Sequence, residues 1–83
     1  MRVSQTDKVQ LRYWFGDSVH NIAHAIEDDI IRIKDEQGNV IPNGAFISQY
    51  GKKRFLSLCG RIIARRDYHT EINGKNFYSE IVD

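Results

Sequence analysis

The chain alternates between apolar and polar positions from residue 8. In KVQLRYWF, Val9, Leu11, Tyr13 and Phe15 fall on one face of an extended segment, and Lys8, Gln10, Arg12 and Trp14 fall on the other. A period of two with aromatic residues predicts a half-buried N-terminal strand over 8–15, closed by Gly16. The period then changes. Val19, Ile22, Ala23 and Ile26 recur at helical spacing, which predicts an amphipathic helix over about 17–28. Asp17 or Ser18 is placed to cap it, because a side-chain oxygen there can accept from the free amides of the first turn.

IIRIKDEQGNVI predicts a hairpin. Ile31 and Ile33 point one way, Arg32 and Lys34 the other, and Gly38-Asn39 supplies residues that tolerate a tight turn. Pro42, Asn43 and Gly44 break the chain before a short helix at about 44–50. At the carboxy terminus Asn73-Gly74 separates two alternating runs, a combination that favours a type I′ turn. That turn pairs Thr70 with Phe77 and His69 with Tyr78. It puts Tyr68, Ile72, Phe77 and Ile81 on the core side, with His69, Glu71, Tyr78 and Glu80 opposite.

Between these segments lies GKKRFLSLCGRIIARRD, residues 51–67, with no acid until its last position. As a helix over 53–66 it gathers Phe55, Leu56, Cys59, Ile62 and Ile63 on one side, and Arg54, Arg61 and Arg65 on another. As a strand it would mix Phe55, Ser57, Cys59, Arg61 and Ile63 on one face. The helix separates charge from apolar surface better, so a basic second helix is expected. Gly60 opposes either assignment, at about 1 kcal/mol in a helix interior.

Composition sets the class. At 83 residues, 41% hydrophobic and 28% charged with one proline, the chain fits a small single α+β domain. A disordered or collagen-like chain is excluded. A chain of this size is marginally stable alone, so a protein partner or a homodimer would support it. Net charge is only +1, but it is unevenly spread. Lys52, Lys53, Arg54, Arg61, Arg65 and Arg66 cluster within 51–66. Residues 17–36 carry six acids (Asp17, Glu27, Asp28, Asp29, Asp35 and Glu36) against Arg32 and Lys34. The lone Cys59 forms no intramolecular disulfide, and MRVSQTDK lacks the apolar core of a signal peptide. No apolar run reaches membrane-span length, so a cytoplasmic location without a membrane partner is expected.

Downstream of residue 17 the expected order is helix, short strand or hairpin, short helix, a turn at Gly51, basic helix and hairpin. In topology this order resembles a winged-helix domain. There, the helix after the turn enters the major groove of DNA and the hairpin touches the backbone. AFISQYG corresponds to the helix before the turn and INGKNF to the wing. The chain departs from the usual helix-turn-helix pattern at Ile47, where a small residue is common, and at Lys52, where an apolar one is common. Leu56 and Cys59 also fall one residue early, and the leading strand is an addition.

The remaining chemistry is sparse. His20 and His24 are four apart and could share a metal, but Asn21 stands where an H-E-x-x-H helix needs its general base. A solvated polar face is the expectation, with no metal or other cofactor. Cys59 lies within the helical apolar face and reads as a buried small hydrophobe. No nucleophile has an activating base near it in sequence, so no enzymatic activity is expected. Two binding roles remain. The six basic residues Lys52, Lys53, Arg54, Arg61, Arg65 and Arg66 would contact nucleic acid, duplex DNA in the first instance. Alternatively the protein is an inhibitor, adaptor or antitoxin-like module, with the acids at 27–36 neutralising the basic helix internally.

Overall fold

A computed structural model describes residues 1–82. Four α-helices and four strands follow in the order α1 (Gln5–Phe15), α2 (Val19–Glu27), β1 (Ile31–Lys34), β2 (Val40–Ile41), α3 (Asn43–Tyr50), α4 (Lys52–Ala64), β3 (His69–Ile72) and β4 (Lys75–Ile81). The α+β class is as expected, and so are the amphipathic helix, the basic helix and the C-terminal hairpin.

The N-terminal strand is not formed; residues 5–15 are helical. Ser4 accepts from the Asp7 N–H (3.1 Å) and Asp7 accepts from the Ser4 N–H (3.2 Å), a reciprocal box that satisfies two free donors at once. Once helical, α1 buries Asp7 and Leu11, with Trp14 and Phe15 packed against the core. Val9 and Tyr13, assigned to the buried side of a strand, turn outward. The alternation is therefore accidental. The spacing that matters is 7, 11 and 15, every fourth residue.

A 3-10 turn at Gly16–Ser18 reverses the chain into α2, and the Ser18 side chain makes no cap hydrogen bond. Val19, Ile22, Ala23 and Ile26 are buried as expected, with Ala25 beside them. Asp29, in the left-handed region at φ 58°, turns the chain into β1. A short polar side chain tolerates that conformation better than most.

The sheet is antiparallel with order β2-β1-β4-β3. The expected pairing of Thr70 with Phe77 and His69 with Tyr78 is present, around left-handed Asn73 and Gly74. In the β1–β2 connection, the Asp35 carboxylate accepts from the Gln37 and Asn39 N–H groups at 3.0 and 2.9 Å. Ile72 and Phe77 reach the core; Tyr68, just before β3, and Ile81, at the end of β4, both expected there too, stay exposed.

α4 is the axis of the fold, contacted by α1, α2, α3 and β4. Phe55, Leu56, Leu58, Cys59, Gly60 and Ile62 are all buried. Phe46 of α3 holds the sheet to this axis, packing on Phe55 (6.4 Å between ring centroids) and on Phe77 (5.5 Å). Gly60, which looks costly in sequence, is where α1 crosses α4. A Cβ at this position would overlap the Phe15 ring. That ring has little freedom to retreat, with Trp14 edge-on to it (6.2 Å) and the Arg65 guanidinium over it (5.2 Å).

Gly60→Ala is therefore expected to destabilise the protein by about 1–3 kcal/mol through overpacking, although alanine is the better helix former by about 1 kcal/mol. Urea denaturation measures this. In a Phe15→Ala background the same substitution should become neutral or stabilising; an increase in stability in the Phe15 background would show that the ring moves freely.

Candidate nucleic-acid interface

The exposed side of α4 is narrow. At 3.6 residues per turn, Lys53, Arg54, Ser57, Arg61 and Ala64 span an arc of about 100°, and Arg65 continues it past the helix end. Lys53 and Arg54 are exposed, and Ser57, Arg61 and Ala64 are half-buried. No acid lies on the arc. Its N-terminal end follows Gly51, a one-residue joint at φ 97° between α3 and α4. The left-handed region there suits glycine alone among unstrained choices.

The six basic residues do not act as one face. Lys52 points the other way, toward α1, where its Nζ lies 3.2 Å from Asp7 Oδ2. Asp7 is 8% exposed. Burial by itself would raise its carboxyl. The hydrogen bonds from the Ser4 N–H and from Lys52, with the charge of Lys52, outweigh that and hold it below the usual carboxylate value. Lys52 thus ties the start of α4 to the start of α1.

Arg61 is also engaged. The left-handed Arg66 (φ 55°) folds the chain back, so that the Asp67 N–H reaches the Arg61 carbonyl at 3.1 Å. The Asp67 carboxylate then meets the Arg61 guanidinium through Nε (3.0 Å) and Nη2. The hydrogen bond from Arg61 is the main cause of a lowered Asp67 carboxyl. Arg65 leans from the arc onto α1, donating to the Trp14 carbonyl at 3.3 Å while covering Phe15. It offsets the partial negative charge at the α1 C-terminus. Among the described residues, Lys53, Arg54 and Arg66 have no ion-pair partner, nor does Lys75 at the hairpin tip.

The acids at 27–36 do not neutralise the basic helix. Asp28 takes His24 (2.9 Å), Asp29 takes Arg32 (3.1 Å), and Glu36 accepts from the Asn76 N–H (2.7 Å). The acids that do meet it are Asp7 and Asp67. Asp67 stands six residues from Arg61, outside the helical i+3 and i+4 spacings, and only the left-handed turn closes the gap. Asp7 is 45 residues from Lys52, and no local pattern marks the pair.

His20 and His24 are exposed, and the Arg12 guanidinium lies 3.5 Å from His20 Nε2. Cys59 is buried, with its thiol pushed up to about 12 by burial, so the small-hydrophobe assignment holds. Among the described residues no helix is long and apolar enough to cross a membrane. Comparisons with protein-family models, curated proteins and solved structures find no match.

Because the folded carboxyl of Asp7 lies below its unfolded value, its contribution is complete above about pH 4 and is lost as pH falls through the lowered value. Asp7→Asn is expected to cost about 1–3 kcal/mol at neutral pH. It should also flatten the acid limb of a stability–pH profile below about pH 4. An unchanged acid limb in the variant would show that other carboxylates govern it.

Proposed function

We propose that the protein is a non-enzymatic nucleic-acid-binding module of winged-helix-like build, presenting the α4 arc to duplex DNA with the β3–β4 hairpin alongside. The observation that carries this reading is the acid-free arc of α4, with Lys53 and Arg54 at its exposed N-terminal end having no ion-pair partner among the described residues. Topology supports it. With α1 and the short edge strand β2 as additions, the order α2, β1, α3, α4, β3, β4, with β4 between β1 and β3, follows a helix-turn-helix and wing arrangement. Lys75 and the turn residues Asn73 and Gly74 form the tip of that wing. Burial keeps the Cys59 thiol from serving as a nucleophile, and the two α2 histidines face water.

Within this reading the six basic residues divide by task. Lys53 and Arg54 contact phosphate, with Arg66 and Lys75 at the margins. Lys52 and Arg65 hold α1 against α4. Arg61 is withheld by Asp67, whose carboxylate occupies the positions a phosphate would take. The exposed outer side of α1, with Val9 and Tyr13, is the feature that favours the alternative, a protein-binding module without a nucleic-acid role.

A salt titration of duplex-DNA binding tests the proposal. Affinity should fall steeply between about 50 and 200 mM salt, because phosphate contacts release condensed counterions. The Lys53→Ala/Arg54→Ala double variant should reduce the slope of log K against log salt by about two. No measurable binding at about 50 mM salt, or binding indifferent to these residues, would favour the protein-binding alternative.

The role given to Asp67 has its own test. Asp67→Asn frees the Arg61 guanidinium and removes a negative charge from beside the arc. Affinity should rise at low salt, and the slope should steepen by about one if Arg61 then meets a phosphate. In the Arg61→Ala background Asp67→Asn should leave the slope unchanged. Equal steepening with and without Arg61 would mean that the carboxylate acts only through its general charge.

A further inference from the structure

α1 and α2 lie antiparallel, and a groove runs between them. Its walls are Lys8, Val9 and Arg12 on one side and His20, His24 and Glu27 on the other; Val19 and Ala23 also line it. The two ends of the groove differ in charge. At one end Arg12 and His20 lie 3.5 Å apart, with the exposed Asp17 carboxylate 3.9 Å from Arg12 outside the groove lining and Lys8 within it. At the other, Glu27 lies beside the N-terminal segment, with its Oε2 3.4 Å from the Val3 N–H. On the outer side of α1, Val9 and Tyr13 sit one turn apart and are 62% and 84% exposed. Neither is needed to cover this chain's own core.

We infer that this face binds a second copy of the chain in a two-fold dimer. A two-fold interface must be complementary to itself, because the same patch is used on both sides. This patch meets that condition in charge. With α1 antiparallel to its counterpart and the axis near Val9, each Val9 meets the other. Residue 12 of one copy then falls opposite residue 6 of its partner. That places the cationic end of one groove over the anionic end of the other, Arg12 against Glu27, twice. Tyr13 of each copy falls opposite Gln5 of the other and covers the rim of its groove. A parallel arrangement of the two helices would instead set Arg12 against Arg12 and Glu27 against Glu27.

The interface leaves the α4 arc free, and the inference does not depend on the nucleic-acid reading. Sedimentation equilibrium of the full chain, without nucleic acid, over about 1 µM to 1 mM tests it, a range that covers weak to moderate association. A concentration-dependent monomer–dimer equilibrium is expected. Val9→Ser/Tyr13→Ser, two surface changes, should raise the dissociation constant by at least about tenfold. Arg12→Glu and Glu27→Arg should each weaken association, and the charge-swapped double variant should recover most of it. Circular dichroism confirms that each variant is folded. A monomer at every concentration would overturn the inference. So would a dimer insensitive to all these substitutions, or single charge reversals that the double variant does not repair.

Discussion

Two helices approach closely only where side chains withdraw from the contact, and on α4 that place is Gly60. The Phe15 ring lies directly on the helix backbone there, which brings α1 down along the length of α4. Much else follows from that contact. Trp14 and Arg65 pack around the same ring, and the Arg65 guanidinium reaches the last turn of α1. At the opposite end the Asp7–Lys52 pair fastens the helices a second time. One contact is apolar and steric, and the other is ionic and partly shielded from solvent. Together they fix both the spacing and the direction of α1, which has no strand to anchor it.

The cations of the basic segment consequently divide into two groups. A helix covered by α1, α2, α3 and β4 has only a narrow outer arc left. Its cations divide between that arc and contacts with neighbouring elements. Lys52 and Arg65 satisfy α1, where their charges meet a carboxylate and a helix C-terminus. Arg61 satisfies the turn into β3. What remains at the exposed N-terminal end is a pair of long, flexible cations, Lys53 and Arg54, which are solvated and cost little to reorient toward a polyanion. The charge surplus of the segment is real, but about half of it is structural.

The sheet plays the complementary part. β4 lies between β1 and β3, so the C-terminal hairpin is held in place by a strand from the first half of the chain. Phe46, Tyr50 and Phe77 interlock at short ring separations (5.0 Å for Phe46–Tyr50 and 4.9 Å for Tyr50–Phe77), which joins α3 to the hairpin. The position of the hairpin tip relative to α4 is therefore set by packing in the core.

The elements whose signals are local were legible in sequence. The Asn73-Gly74 turn determines its own register because the two left-handed residues admit few alternatives, and the structure has that register. The stripe Val19, Ile22, Ala23 and Ile26 specifies α2, and charge segregation over 53–66 specifies α4. Alternation misled at 8–15. There Val9 and Tyr13 mimic the inner face of a strand, while the Ser4–Asp7 box and the 7, 11, 15 spacing set the helix. Burial was readable at Cys59 in mid-helix and at Ile72 and Phe77 close to the hairpin turn, and not at the open end of the hairpin, as at Tyr68 and Ile81. The use of the cations was decided by tertiary structure alone. Sequence shows that Lys52, Arg61 and Arg65 are charged, but their partners are Asp7, Asp67 and the Trp14 carbonyl. Two of these are separated from their cations by 45 and 51 positions, and the third is reached only through a left-handed turn. Ion pairing depends on distance in space, and along this chain that distance is set by how α1 packs on α4 and how the chain turns after it.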